Sequence, residues 1–493
     1  MTIMLNPEPP GLMLGLNQQT VAQLVAGKIY QGLLAFDFDF TPRPSLAREW
    51  SVSEDGLVYR FTLFDAVFWH DGEPFTAEDV VFSTQIFLKE THPRARANFS
   101  HVREAVILDP LTVEYRLSAP FPPFLLAFEA SSAPMIPKHI YAGTDFRNNP
   151  ANQTPIGTGP FKFREWKRGQ FIHLVKNERY FRKGLPHLSE IYFQIIPDSS
   201  SRLLALETGE ADLASFSDID CAFMPQVTAN PLFDVTYKGY ELAGPLAWME
   251  FNHRVSPMGD KRFRQAVMHA LDRDYIAHAI WFDQAAPATG AFNSSTRFYE
   301  PDTKRYPLDL EKATALLDEM GLKPDEKGVR ANLKLLGLPH GEAWTRLSEY
   351  IKQALGKIGI AVWLESTDMG NWARRYAHWE FEMTLVFLYQ YGDPALGVSR
   401  NYISSNIIKG AYGTNASGYI NPTVDALFAK AAVENDETAR AKLYSDVQKL
   451  LAEDVPNAWL IEIKFPTVVN RRFENVVTSA TGVADCFDVV AEK

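Results

Sequence analysis

The chain has 493 residues, 46% hydrophobic, 22% charged and 13% aromatic, a globular profile that excludes intrinsic disorder. Its length permits about two to four compact domains. With 60 acids against 49 bases and no basic block, it lacks the electrostatic footprint of a nucleic-acid binder.

In chain order, residues Thr2 to Leu5 read as a strand stopped by "NPEPPG", which can neither propagate a helix nor join a central ladder. "TVAQLVAGKIYQGLL", residues 20–34, places Val21, Leu24, Val25, Ile29 and Leu33 near a 3.6-residue period and predicts an amphipathic helix. "GLVYRFTLF" alternates Leu57, Tyr59, Phe61 and Leu63 with Val58, Arg60 and Thr62, a strand pattern. In "FWHDGEPFTAEDVVFS" the neighbours His70 and Asp71 point to opposite faces of an extended chain, "HDGEP" has turn chemistry, and Thr76 with Asp79 approximates a capping box. That stretch therefore reads as a strand–turn–helix unit and not as a catalytic cluster.

Further strands are expected in "LTVEYRL" and "EIYFQII". Helices are expected in "SSSRLLALETGEA", "DKRFRQAVMHALDRDYIAHAIW", "DLEKATALLDEMG", "AWTRLSEYIKQALGKIG" and "ETARAKLYSDVQKLLAED". Their alternation after about residue 190 points to α/β layers.

Chemistry-bearing motifs are sparse. There is no GxSxG elbow, HExxH pair or Walker loop, and Glu380 with Glu382 share one strand face instead of forming opposed walls. The eleven histidines show no metal-ligand spacing. Catalytic residues, metal and cofactor are thus not expected. Cys221 and Cys486 fit either one long-range disulfide or two buried thiols. No run approaches the ~18–20 apolar residues that cross a bilayer, and "MTIMLNPEPP" lacks the charged head and apolar core of a signal peptide.

"PSLAREWSVSEDGLVYRFTLFDAVFWHDGEPFTAEDVVFS" is preceded by "IYQGLLAFD" and followed in order by "TPIGTGPFKFREW", "RLLALETGEADL" and "FNHRVSPMGDKRFRQAVMHALDRDYI". As a set these segments resemble the bacterial extracellular solute-binding proteins of family 5, which bind dipeptides, oligopeptides or nickel for ATP-driven importers. The resemblance implies an α/β, two-lobed periplasmic-binding-protein fold, type II-like, with an extra subdomain in lobe one and a hinge between the lobes. Residues 1–35, 151–244 and 465–493 would form lobe one, 36–150 the extra subdomain, and 245–464 lobe two. The implied function is the substrate-binding protein of an ABC importer. It would capture a peptide or peptide-like solute by hinge closure and deliver it to a membrane permease. The alternative keeps that role with an opine or other amino-acid–sugar conjugate, an oligosaccharide or a metal chelate. The resemblance further implies a periplasmic monomer that is not an enzyme and has no nucleic-acid partner, with Met1 an added start after a removed export signal.

Site residues follow by the same analogy. Gly11, Leu12 and Met13 match the loop that contacts peptide main chain. "GPLAWMEFN" matches the crossing into lobe two and nominates Trp248 and Asn252. In "LVFLYQYGDPALG", Gln390 stands where peptide-binding relatives carry an Asp that pairs with the ligand ammonium. A glutamine has no charge to offset that burial. Asp393 would serve if the alignment slips, Phe387, Tyr389 and Tyr391 would be walls, and Tyr402 would add a hydroxyl. "STDMGNWARRYAHWEFEM" adds Trp372 and Arg374, the latter as a carboxylate clamp.

Overall fold

The computed structural model describes residues 1–493, the side chain of Pro93 excepted. Strand Thr2–Leu5 carries the consecutive buried residues Ile3, Met4 and Leu5, as a central strand covered on both faces requires. It pairs in parallel with Glu190–Ile195, Thr2 opposite Tyr192, and with Leu213–Ala214 on its other side. The resulting seven-stranded sheet adds Thr467–Asn470 and Phe233–Thr236 beyond Leu213–Ala214, and Phe171–Lys176 and Phe161–Lys167 beyond Glu190–Ile195.

A six-stranded sheet forms the second lobe. Its order is Ala285–Pro287, Asn457–Ile463, Leu246–Phe251, Met383–Leu388, Ala331–Leu336 and Ile360–Glu365, the last three mutually parallel. The chain passes from the first sheet to the second through residues 237–245 and returns through 464–466. Each lobe has its own buried core, the first built around Ile3, Ile191 and Phe193, the second around Leu246, Met249 and Leu385.

An antiparallel four-stranded sheet, Ala47–Val52, Val58–Leu63, Thr112–Leu117 and Val102–Asp109, packs on the first lobe and shares its core. Strand Val58–Leu63 buries Tyr59, Phe61 and Leu63 and turns Arg60 outward, so the alternation sets the core face. Phe61 and Tyr115 meet Phe128 with ring centroids 4.6 and 5.2 Å apart, aromatic packing worth about 0.5–1.5 kcal/mol per pair beyond area burial.

Two helices are shorter than their periodicity predicts. Residues 20–34 form a helix only over Thr20–Ala26, because Gly27 lies against the chain's C-terminal segment, where a Cβ would stand 2.0 Å from the carbonyl oxygen of Ala484. Helix Lys261–Ala270 breaks at Leu271, and Asp272 caps a new turn at Arg273–Tyr275. The strand–turn–helix unit is present: Phe68 bridges to Pro74, Gly72 takes φ +102°, and Thr76 and Asp79 form a reciprocal capping box. His70 and Asp71 do not pair; His70 Nε2 lies 2.9 Å from the Gly159 carbonyl, and Asp71 meets His139 at 2.7 Å. Cys221 and Cys486 are free thiols.

Candidate functional site

The parallel strands of both sheets send their carboxyl-end loops toward the space between the lobes, where open α/β sheets place ligands. From the first lobe come residues 6–19 after Thr2–Leu5 and 215–220 after Leu213–Ala214; from the second come 337–341, 366–368 and 389–393. The lobes meet across this space. Tyr389 Oη lies 3.1 Å from Thr20 Oγ1, Asn435 Nδ2 donates to the Asp55 carbonyl at 3.1 Å, and the Arg94 guanidinium stacks 3.8 Å from the Tyr391 ring centroid.

Between these contacts runs an aromatic wall. Trp344 stacks on Phe387 at 5.5 Å, Phe387 lies 6.0 Å from Tyr389, and Phe465, on the return crossing, meets Phe216 at 5.4 Å. Phe216 and Tyr391 hold φ of +52° and +53°, a left-handed conformation that costs a bulky residue of order 1–3 kcal/mol and clusters at functional sites. His340 faces solvent beside Phe387 yet is enclosed enough that desolvation lowers its pKa.

On the first-lobe side, Leu12 and Met13 are buried, with Tyr30 Oη donating to the Met13 sulfur. Gly11 faces open space, and its carbonyl accepts from Asn17 Nδ2 at 2.8 Å. Among the described residues, the backbone N–H groups of Leu12, Met13, Leu14 and Gly15 have no acceptor in the chain. The four residues are buried and run into a turn closed by Leu16 and Asn17 on the Met13 carbonyl.

Gln390 is less available than its sequence position implies. Its Oε1 accepts from the Asn293 N–H and the Thr296 hydroxyl, both at 2.8 Å, and its Nε2 donates to the Ala291 carbonyl at 2.9 Å. It fastens the 291–296 loop to the crossing, where its own N–H bonds the Ala243 carbonyl. Gln390→Ala is expected to cost about 2–4 kcal/mol of stability in chemical denaturation, since three buried groups lose their partner. A stability loss under about 0.5 kcal/mol would contradict this tethering role.

The remaining residues expected from sequence belong to the second lobe, and all but Arg374 are buried in it. Asp393 is fully buried and grips Arg440 with two bonds of 2.8 Å while capping Pro394–Gly397, so its charge is already neutralised. Arg374 turns to solvent and bonds Glu380, as a helix face with adjacent arginines does, which removes it from the cleft as a carboxylate clamp. Asn252 donates to the carbonyls of Trp379 and Phe381. Trp372 donates to Thr384 at 3.1 Å, Tyr402 accepts from Trp459 at 2.9 Å, and Trp248 donates to Glu250. Phe387, Tyr389, Tyr391 and the Gly11 loop are the residues expected from sequence that stand at the opening. Phe216, Phe465, Trp344 and Arg400 also line it and were missed. The visible signal for Phe216 was its place just beyond strand Leu213–Ala214; the others come together only once the lobes do.

A family model described as bacterial extracellular solute-binding proteins, family 5, matches residues 41–409. The chain is 28% identical over 476 residues to di/tripeptide-binding protein 2 of Pseudomonas aeruginosa, covering 92% of this chain and 86% of that protein. Two solved structures superpose along essentially the whole chain, each at 25% identity and a TM-score of 0.85. NikZ from Campylobacter jejuni, in complex with Ni(L-His), is matched over 99% of this chain and 97% of its own. The periplasmic binding protein DppA from Helicobacter pylori, in complex with the peptide STSA, is matched over 100% and 98%.

Proposed function

Because the chain belongs to the bacterial extracellular solute-binding proteins, family 5, we propose that its interlobe cleft captures a peptide or peptide-like solute and hands it to the membrane permease of an ABC importer. The observation that carries this reading is a wall of aromatic rings between the lobes, joined to the first lobe at Thr20, with backbone N–H groups at Leu12 to Gly15 that have no acceptor in the chain. Such N–H groups pair with the backbone of an extended ligand irrespective of its sequence, while Phe216, Phe387 and Tyr389 accept varied side chains. Ligand contacts to both lobes favour the closed form, the state that the permease reads. The protein acts by binding without turnover, as a periplasmic monomer. Relatives named for di- and tripeptides and a neighbour solved with a tetrapeptide support this cargo.

One observation favours a second ligand class. Gln390, engaged on both its amide oxygen and its nitrogen, supplies no charge for a peptide ammonium. That suits an amino-acid–sugar conjugate such as an opine, or a metal chelate of the kind bound by NikZ.

Native mass spectrometry of the purified protein, followed by denaturation and identification of the released solute, separates these readings. A ladder of peptide masses is expected. A single non-peptide mass would replace the peptide reading with the second one, and conversion of the released solute on incubation with fresh protein would overturn binding without turnover.

A further inference from the structure

The capture of a solute leaves its positive charge unaccounted for, since Gln390 is tied to the 291–296 loop and Asp393 to Arg440. Another carboxyl in the second lobe stands without a cation. Glu250 lies on the central strand Leu246–Phe251 and is only 2% exposed. Trp248, two residues earlier and so on the same strand face, donates its indole N–H to one carboxylate oxygen. Arg254 is near enough to be felt, but its guanidinium lies 3.8 Å over the Trp379 ring and bonds Asn252 and the Ala416 carbonyl instead.

Strand register brings tyrosines to this face: Glu250 is paired with Thr384, which accepts from Trp372, itself stacked on Tyr376, and Trp248 is paired with Trp459, which donates to Tyr402. Tyr376, on helix Met369–Ala377, is fully buried, and its hydroxyl has no partner among the described residues. Tyr402 is buried as well and accepts from Trp459 at 2.9 Å. Tyr412 stands in front, its ring centroid 5.6 Å from that of Tyr376 and 6.1 Å from Trp372. Tyr412 is 54% exposed and so forms the outer, solvent-facing side of this group.

Arg400 connects this group to the cleft: a Cβ at Gly413, next to Tyr412, would stand 3.3 Å from its Nη1. Arg400 donates to the Tyr389 carbonyl at 3.2 Å and lies 5.4 Å from the Tyr391 ring, so it belongs to the cleft wall. An unpaired buried carboxyl and an orphaned phenol both cost stability, and a single cation with hydrogen-bond donors offsets the first while ordering the second. Burial has already pushed the Glu250 carboxyl up to about 7, against the pull of Trp248, the Ser417 N–H and Arg254.

We propose that Glu250, with the hydroxyls of Tyr376 and Tyr402, anchors the cationic group of the captured solute, a primary ammonium or a guanidinium reaching past Tyr412. This rests on the solute-capture reading above and supplies the charge that Gln390 does not.

The test uses isothermal titration calorimetry on the full chain with Ala-Leu, Ala-Phe and Ala-Tyr, each with a free and an N-acetylated amine. The wild type is expected to bind the free-amine forms and to reject the acetylated ones. E250Q should weaken the free-amine forms by roughly 30-fold, the size of a lost charged hydrogen bond. At pH 6, in buffers of different ionisation enthalpy, the wild type should release close to one proton per ligand as Glu250 ionises against the bound ammonium, and E250Q none. Y376F guards against misfolding of the acidic variant. It removes an orphaned hydroxyl, so the unliganded protein should melt no lower than wild type while its affinity falls several-fold.

Equal binding of free and acetylated dipeptides, or free-amine binding that E250Q and Y376F leave unchanged, overturns this anchor and leaves solute capture standing. Failure of the wild type to bind any of the six overturns the peptide reading and the anchor with it.

Discussion

Asp393→Ala is expected to lower the unfolding free energy of the second lobe by about 3–5 kcal/mol, measured by urea denaturation with tryptophan fluorescence. The size follows from what is left behind. Arg440 is 2% exposed, its Nη1 and Nη2 each donate to Asp393 at 2.8 Å, and its remaining bonds go to the Ala431 carbonyl and Tyr444. Removing the carboxylate strands a guanidinium in the core, beside the rings of Phe298 and Tyr444. Asp393→Leu combined with Arg440→Met should recover most of the loss, because two apolar side chains replace an ion pair whose desolvation was itself costly. A small stability loss with a large loss of ligand affinity would return Asp393 to the binding surface. Its position beside the cleft aromatics makes that contrast sharp: the same loop that hides Asp393 carries Tyr391 outward.

How far the sequence reveals this molecule depends on the range of the interaction that decides each feature. Helix Glu437–Asp454 is readable from its own residues, with Asp436 as cap and Leu443, Val447 and Leu451 on one face. The capping box at Thr76 is equally local. By contrast, the need for glycine at the helix end, Gly27, is set by the carbonyl of Ala484, more than four hundred positions away, and no period within residues 20–34 encodes it. The site divides the same way. The departure at Gln390 is visible in the sequence, but its meaning is not, because its partners Ala291, Asn293 and Thr296 lie about a hundred residues upstream on a loop without a motif. Trp248 was nominated for its indole. Its partner Glu250, two residues on, drew no attention, since an acid at that spacing reads as unremarkable until burial is known.

Tyr391→Ala is expected to raise the apparent Kd for the solute by roughly 10- to 30-fold, with little change in the unfolding of either lobe. Tyr391 follows the second-lobe strand Met383–Leu388 and packs against the first-lobe core, and its stacking on Arg94 of the first lobe is a contact between the lobes that closure would use. A desolvated cation–π contact is worth about 2 kcal/mol, and about 1.4 kcal/mol is tenfold in an equilibrium. Observed affinity is the intrinsic affinity reduced by the fraction of molecules competent to close, so the lost contact appears as weaker binding even where Tyr391 does not touch the ligand. Small-angle scattering should show the unliganded variant more extended than wild type. Tyr391→Gly separates closure from backbone strain: at φ +53° glycine relieves a cost that alanine retains, so the glycine variant should be the more stable of the two and bind no better. If the glycine variant binds like wild type while the alanine variant does not, the strain at residue 391, rather than its stacking on Arg94, governs closure.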